Sequence, residues 1–239
     1  MAAKTNSFTV LISTIILVAF HFAGCGTNVS DPPPPSTITL SFESTPFAKR
    51  FKKVVSTGFS LQSTVDSLCI TRVRFLLRNM KIRSLNDSLD FMPTVRMIDL
   101  NNNGRPMTLG SYSVQSKKYT AIDFILPKPP ADAQTLPEYS DPALKEFTEA
   151  SRYSVIVDGK VFTPTDSARF VWKCKEAISF AFAFLPALML DQGETAQVVF
   201  GIQPLDWFKD SATGLFFDPT DISNDALILA NVQTAIRKK

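Results

Sequence analysis

From residue 38 onward, apolar and polar positions alternate with a period of two, the pattern of strands that bury one face. Ile38, Leu40 and Phe42 are separated by polar residues. Thr71, Val73, Phe75 and Leu77 interleave with Arg72, Arg74 and Arg78. The same alternation places Ile122, Phe124 and Leu126 on one face, and Ala196, Val198, Phe200 and Ile202 on another. Phe180, Phe182 and Phe184 form a third such row, better suited to the core between two sheets than to a ligand platform. Together these runs predict a mainly β protein, an antiparallel β-sandwich. Asp158-Gly159, between residues 155–157 and 160–162, predicts a two-residue hairpin. Asp191-Gln192-Gly193 and Asn101-Asn102-Asn103-Gly104 predict turns joining two more strand pairs.

Two segments change period. Ser140-Asp141-Pro142 supplies a cap and a first-turn proline for a short helix near 142–151, with Leu144 and Phe147 on one face. Residues 221–223 cap a C-terminal helix near 223–237, with Leu227, Ile228, Val232 and Ile236 as its apolar stripe. Arg237, Lys238 and Lys239 suit the negative end of its dipole. The Pro-rich segment 127–142 reads as a long surface loop.

The first 37 residues follow other rules. Lys4 precedes an apolar run at residues 8–20, too short to span a bilayer comfortably and of signal-peptide length. Phe22-Ala23-Gly24-Cys25 then resembles the lipobox of bacterial lipoproteins, with Phe22 in the aliphatic position. That resemblance implies a signal peptide at residues 1–24 and acyl chains on Cys25, which would hold the protein to a membrane. Residues 25–37 complete the anchor with a tether whose four consecutive prolines favour polyproline II, at roughly 3.1 Å per residue. Residues 38–239 are left as one domain. Gly26 follows the cysteine where inner-membrane lipoproteins often carry Asp, so the expected location is the cell envelope, at the outer membrane.

Composition narrows the chemistry. A formal net charge of +3 is too balanced to suggest a nucleic-acid partner. Lys49-Arg50-Phe51-Lys52-Lys53 reads as a solvated loop or strand end, with lipid head groups as the alternative contact. The only histidine is His21, inside the expected leader, which excludes His-based triads and His-ligated zinc or copper from the mature chain. Cys69 and Cys174 both lie in expected strands. Spacing leaves open whether they form a disulfide or stay as two buried thiols.

The mature region resembles uncharacterised envelope lipoproteins with an antiparallel β-sandwich. The residues behind this are Ile70-Thr71-Arg72-Val73-Arg74-Phe75-Leu76-Leu77-Arg78-Asn79-Met80-Lys81, Tyr119-Thr120-Ala121-Ile122-Asp123-Phe124, and a tail with Asp206-Trp207-Phe208, Gly214-Leu215, Asp218-Pro219 and the expected final helix. The first two pieces are more distantly similar to periplasmic copper-binding proteins associated with methanobactin. Those sites lean on histidine, so the resemblance implies a fold and transfers no site residue.

The sharpest metal-like pattern is Asp99, Asn101 and Asn103 followed by Gly104, the first half of a calcium loop, with Gly110 where the final acidic ligand belongs. A second set of oxygens comes from Asp206, Asp210, Asp218, Asp221 and Asp225, of which Asp218 and Asp221 are the candidate ligands. Turns and helix caps demand the same residues. No nucleophile elbow, phosphate loop or dinucleotide fingerprint is present. The expected function is a non-enzymatic, lipid-anchored protein without a cofactor, binding an envelope protein or glycan. The alternative is a calcium-dependent or carbohydrate-binding module.

Overall fold

The computed structural model describes residues 34–45, 65–101 and 105–239. Along the chain run β1 (Ser36–Ser44), β2 (Ser67–Ser84), β3 (Ser88–Met92), β4 (Arg96–Asn101), β5 (Met107–Val114) and β6 (Lys118–Leu126). After a long connection come β7 (Val155–Phe162), β8 (Ser167–Cys174), β9 (Ile178–Met189) and β10 (Thr195–Ile202). The chain closes with α1 (Pro204–Trp207), α2 (Asp225–Ala235) and β11 (Ile236–Lys238). One sheet has the order β11-β10-β1-β5, and a seven-stranded sheet is built around β2. β1 and β10 are parallel, whereas the pairings around β2 are antiparallel.

β2 organises the larger sheet. β4 and β7 both pair with Arg72–Phe75, so they lie on opposite edges of β2. β3 and β6 likewise flank residues 81–83. β3 and β4 follow one another down one edge, Met92 opposite Met80 and Arg96 opposite Leu77. The other edge is therefore shared end to end by β7, which carries β8, and β6, which carries β9. Where the partners change, Asn79 takes a positive φ of 54° and the register shifts. Asparagine tolerates that left-handed conformation better than most residues, and the bulge bends the strand.

The alternation read from sequence holds. Ile38, Leu40 and Phe42 of β1, Val73, Phe75 and Leu77 of β2, and Ile122, Phe124 and Leu126 of β6 are all buried between the sheets. Phe42 meets Phe75 edge-on at 5.3 Å, and Phe124 meets Phe200 at 5.1 Å and Phe180 at 5.1 Å. The Phe180 row thus belongs to the core.

The two ends of the sandwich differ. At one end the start of β1 meets the turn between β9 and β10: Ser36 Oγ donates to the Asp191 carbonyl (2.7 Å) and Thr37 N to the Glu194 carbonyl (2.8 Å). At the other end Ser44 aligns with Ile202, and the chain turns into α1 and α2. Trp207 and Phe208 are completely buried there, Phe208 against Phe170 and Trp172.

Several expected elements are corrected. Asp158-Gly159 does not turn: β7 runs through it, and the glycine makes room for the Phe170 ring of β8, which lies where a side chain at 159 would stand. β4 and β5 lie in different sheets, so the Asn-rich segment links sheets instead of closing a hairpin. The helix expected near 142–151 is a shorter 3-10 helix, Pro142–Thr148, still burying Leu144 and Phe147. The C-terminal helix stops at Ala235, and Ile236–Lys238 extends as an edge strand on β10. There Lys239 pairs with Glu43 (2.9 Å) and Lys238 lies over the Phe184 ring, so neither serves a helix dipole. β1 begins at Ser36, two residues before the expected domain start.

A Cβ at position 159 would meet the Phe170 ring at 2.6 Å and the backbone oxygen of Cys69 at 2.7 Å. Gly159→Ala is therefore expected to destabilise the fold by about 1–3 kcal/mol, as overpacking does. Urea denaturation measures it, and an unchanged midpoint would contradict this account of the glycine.

Candidate functional site

The outward face of β2 carries Arg72, Arg74, Leu76 and Arg78, the residues between its core positions. Such a row would ordinarily be solvated. Here the connection between β6 and β7 folds back over it through three 3-10 helices, Ala133–Thr135, Pro137–Tyr139 and Pro142–Thr148. Ala133, Tyr139, Leu144 and Phe147 from this cover form a second apolar cluster with Leu76 and Ile156 of the sheet. The expected surface loop at 127–142 is thus partly a packed layer.

Paired charges frame that cluster. Arg74, only 9% exposed, donates from Nη1 to Glu146 of the cover and from Nη2 to Asp158 of β7 (2.9 Å). Its Nε is buried without a partner, so the guanidinium is held through its two terminal nitrogens. Arg78 reaches Glu138 (3.3 Å), and Lys173 reaches Glu146 (3.2 Å). Arg72 grips Asp99 through Nε (3.0 Å) and Nη2. That bond, against a smaller cost of burial, raises the Arg72 pKa. For Glu146, burial disfavours the charged form, but the bonds from Arg74 and Lys173 outweigh it and its carboxyl titrates below the ordinary value.

Between cover and sheet lies an open groove of about 490 Å³, lined among others by Arg72, Arg74, Met97, Lys145, Glu146 and Glu149. Both signs of charge meet in it, and its lining includes no imidazole and no thiol. Chemically the groove suits polar contact with charged groups of a partner. Sequence reasoning missed it, although Arg72, Arg74 and Arg78 were visible as a row. Their carboxylate partners lie 60 to 84 residues away, apart from Asp99.

The residues singled out from sequence fall elsewhere. Cys25, Asn103 and the 49–53 basic cluster lie outside the described residues. Asp99 sits on β4 with its carboxylate taken by Arg72, and Asn101 ends that strand. Asp218 accepts from Thr220 N (2.8 Å) and Thr220 Oγ1 (2.7 Å). Asp221 caps the turn at Ser223 N (2.9 Å), which lowers its pKa. Asp210 closes its own turn at Ala212, and Asp225 accepts from Trp172 Nε1 (3.0 Å). Among the described residues no group of three or more His, Cys, Asp and Glu side chains could hold a metal ion. The local bonds explain why: Asp210, Asp218 and Asp221 serve their own turns, Asp99 serves Arg72, and Asp225 serves the Trp172 indole.

Cys69 and Cys174 are free thiols. β7 separates their strands, Cys69 lying opposite Lys160 while Cys174 lies opposite Val155. Two strand spacings of ~4.8 Å, plus that offset along the strand, exceed the reach of a disulfide. Burial pushes the Cys174 thiol pKa up and keeps it in the neutral form.

No protein-family model, curated protein or solved structure matches this chain.

Arg74→Met is expected to destabilise the protein by about 1–3 kcal/mol, since it strands the partly buried Asp158 carboxylate and leaves Glu146 with Lys173 alone. Limited proteolysis should then cut within 127–154 first, whereas Arg72→Met, on a half-exposed pair, should cost under about 1 kcal/mol. The pH dependence has a definite sign. Because the pKa of Glu146 is depressed in the folded protein, its stabilisation is fully present above the ordinary value of 4.5 and is lost as pH falls through the lower folded value. Calcium at millimolar concentration is expected to leave the melting temperature where chelator leaves it. A calcium-dependent rise would place ligands on these carboxylates after all.

Proposed function

We propose that this chain is a lipid-anchored protein of the cell envelope, non-enzymatic, whose β-sandwich serves a binding or structural accessory role. One observation carries the reading: Ala23-Gly24-Cys25 closes a basic, apolar leader, and a stretch of four prolines follows before the first strand at Ser36. A thioether-linked diacylglycerol on Cys25, with or without a further acyl group on its amine, would hold the protein on the outer membrane essentially permanently, at ~0.8 kcal/mol per buried methylene. The charged groove over β2 supports contact with an envelope protein or glycan, since its polar lining favours surface recognition over burial of an apolar ligand. The absence of histidine beyond residue 21 supports a role without acid–base catalysis at neutral pH.

Intact-mass analysis of the protein from its native membrane tests this directly. The expected N-terminus is Cys25 carrying two or three acyl chains, and Cys25→Ser should release the protein from the membrane fraction. An unmodified Cys25 in a membrane-free protein would overturn the reading.

A further inference from the structure

We propose that the Pro34 end of the sandwich lies on the lipid surface itself, with Leu85, Leu185 and Met189 seated among the head groups. The proposal rests on acylation of Cys25, and it assigns an orientation that acylation alone leaves free.

The argument begins where the described chain joins its leader. Pro34 lies against Gly193, which takes a positive φ of 74° in the turn between β9 and β10. Ser36 also meets Ser116 Oγ (3.0 Å), so the first residues of the domain are fixed to the β5–β6 turn. Lys117 of that turn pairs with Asp87 of the β2–β3 turn (2.9 Å). Three turns and the start of β1 therefore form one end surface. Only eight residues separate Pro34 from Cys25, nine steps that reach about 28 Å at the polyproline II rise of ~3.1 Å per residue. β1 carries the chain from there to Ser44 at the opposite end, so the end that meets the anchor is set by the fold.

That end exposes large apolar side chains; Ile222 away from it is as exposed, so it is the tether joining at Pro34, and not exposure alone, that selects this end for the lipid. Leu85 is 80% exposed in the β2–β3 turn, and Met189 is 58% exposed at the close of β9. The two strands are separated only by β6, because Tyr119 pairs with both Ser84 and Leu188. Leu185, 87% exposed, stands on the free edge of β9 a few residues below. The neighbouring charges, Lys117 and Lys118 against Asp87, Asp191 and Glu194, nearly cancel. The surface therefore fits a lipid layer through apolar contact and needs no anionic head groups. A short tether keeps the patch at an effective concentration of order mM beside the bilayer, where a contact too weak to recruit a free protein is populated.

The full-length acylated protein, reconstituted in phosphatidylcholine–phosphatidylethanolamine vesicles with or without phosphatidylglycerol, provides the test. An environment-sensitive fluorophore is placed at Leu85→Cys or, as the opposite-end control, at Ile222→Cys, in a Cys69→Ser/Cys174→Ala background. Position 85 is expected to shift to the blue, to be quenched by brominated lipid, and to lose aqueous iodide quenching roughly threefold relative to 222, as insertion ~5–10 Å into the interface would give. The result should be the same with and without phosphatidylglycerol. Hydrogen exchange of the unsubstituted protein supplies a second readout: amides of residues 85–88 and 190–193 should gain protection on vesicles while those of 219–224 do not. An acylated, vesicle-bound protein with position 85 as wet as 222 would overturn the docking and leave the anchor standing. A blue shift without brominated-lipid quenching would overturn it in favour of a protein contact. A protein whose mass shows no acyl chains would overturn the anchor and the docking together.

Discussion

The ion pairs of Arg74 hold together a structure that would otherwise have an unsealed second surface. A guanidinium taken out of water is costly unless its charge is matched, and here Glu146 and Asp158 match it from two different elements. Asp158 comes from the neighbouring strand and Glu146 from the cover, so a single side chain ties β2, β7 and the 3-10 layer together. The apolar contacts of Leu76 and Ile156 supply most of the attraction between cover and sheet, at ~1.5–3 kcal/mol for each fully buried side chain. Hydrophobic contact has no direction, however. The fork of Arg74 fixes where the cover sits, and thereby shapes the groove beside it.

This arrangement depends on β2 having two demanding faces. Val73, Phe75 and Leu77 face the partner sheet, while Arg74, Leu76 and Arg78 face the cover. An 18-residue strand with both faces occupied needs neighbours on both edges along its length, and it has four. The bulge at Asn79 lets one strand serve two halves that turn relative to each other. The connection between β6 and β7 starts and ends at this bend, since Ile125 pairs with Arg78 and Val155 with Phe75. That is why the cover lies over the middle of the strand.

Period-two alternation made the core legible in the sequence, because one face of each strand meets only apolar neighbours. What it could not register was any feature decided by a distant residue. Asp158-Gly159 has the letters of a tight turn, yet Phe170 explains the glycine as a close approach between strands. Ile236 continues the apolar spacing of α2, yet the open edge of β10 offers hydrogen bonds that a fraying helix end lacks. For the site the limit is the same. Local caps consume the oxygens of Asp218 and Asp221, while Asp99 is engaged by Arg72 from another strand. The arginine row needed partners from residues 138, 146 and 158 before it became more than a polar face.

The anchoring and docking proposals add a direction to this architecture. Because β1 runs from the Pro34 end to the Ser44 end, its polarity alone decides which turns face a bilayer attached through Cys25. The tight turns at Leu85 and Gly193 would meet lipid, and the helical end closed by Trp207 and Phe208 would point away. The cover and its groove run along the flank between the two ends. A flank stands clear of the bilayer when the end surface is down, which leaves the groove open to a partner approaching in the membrane plane.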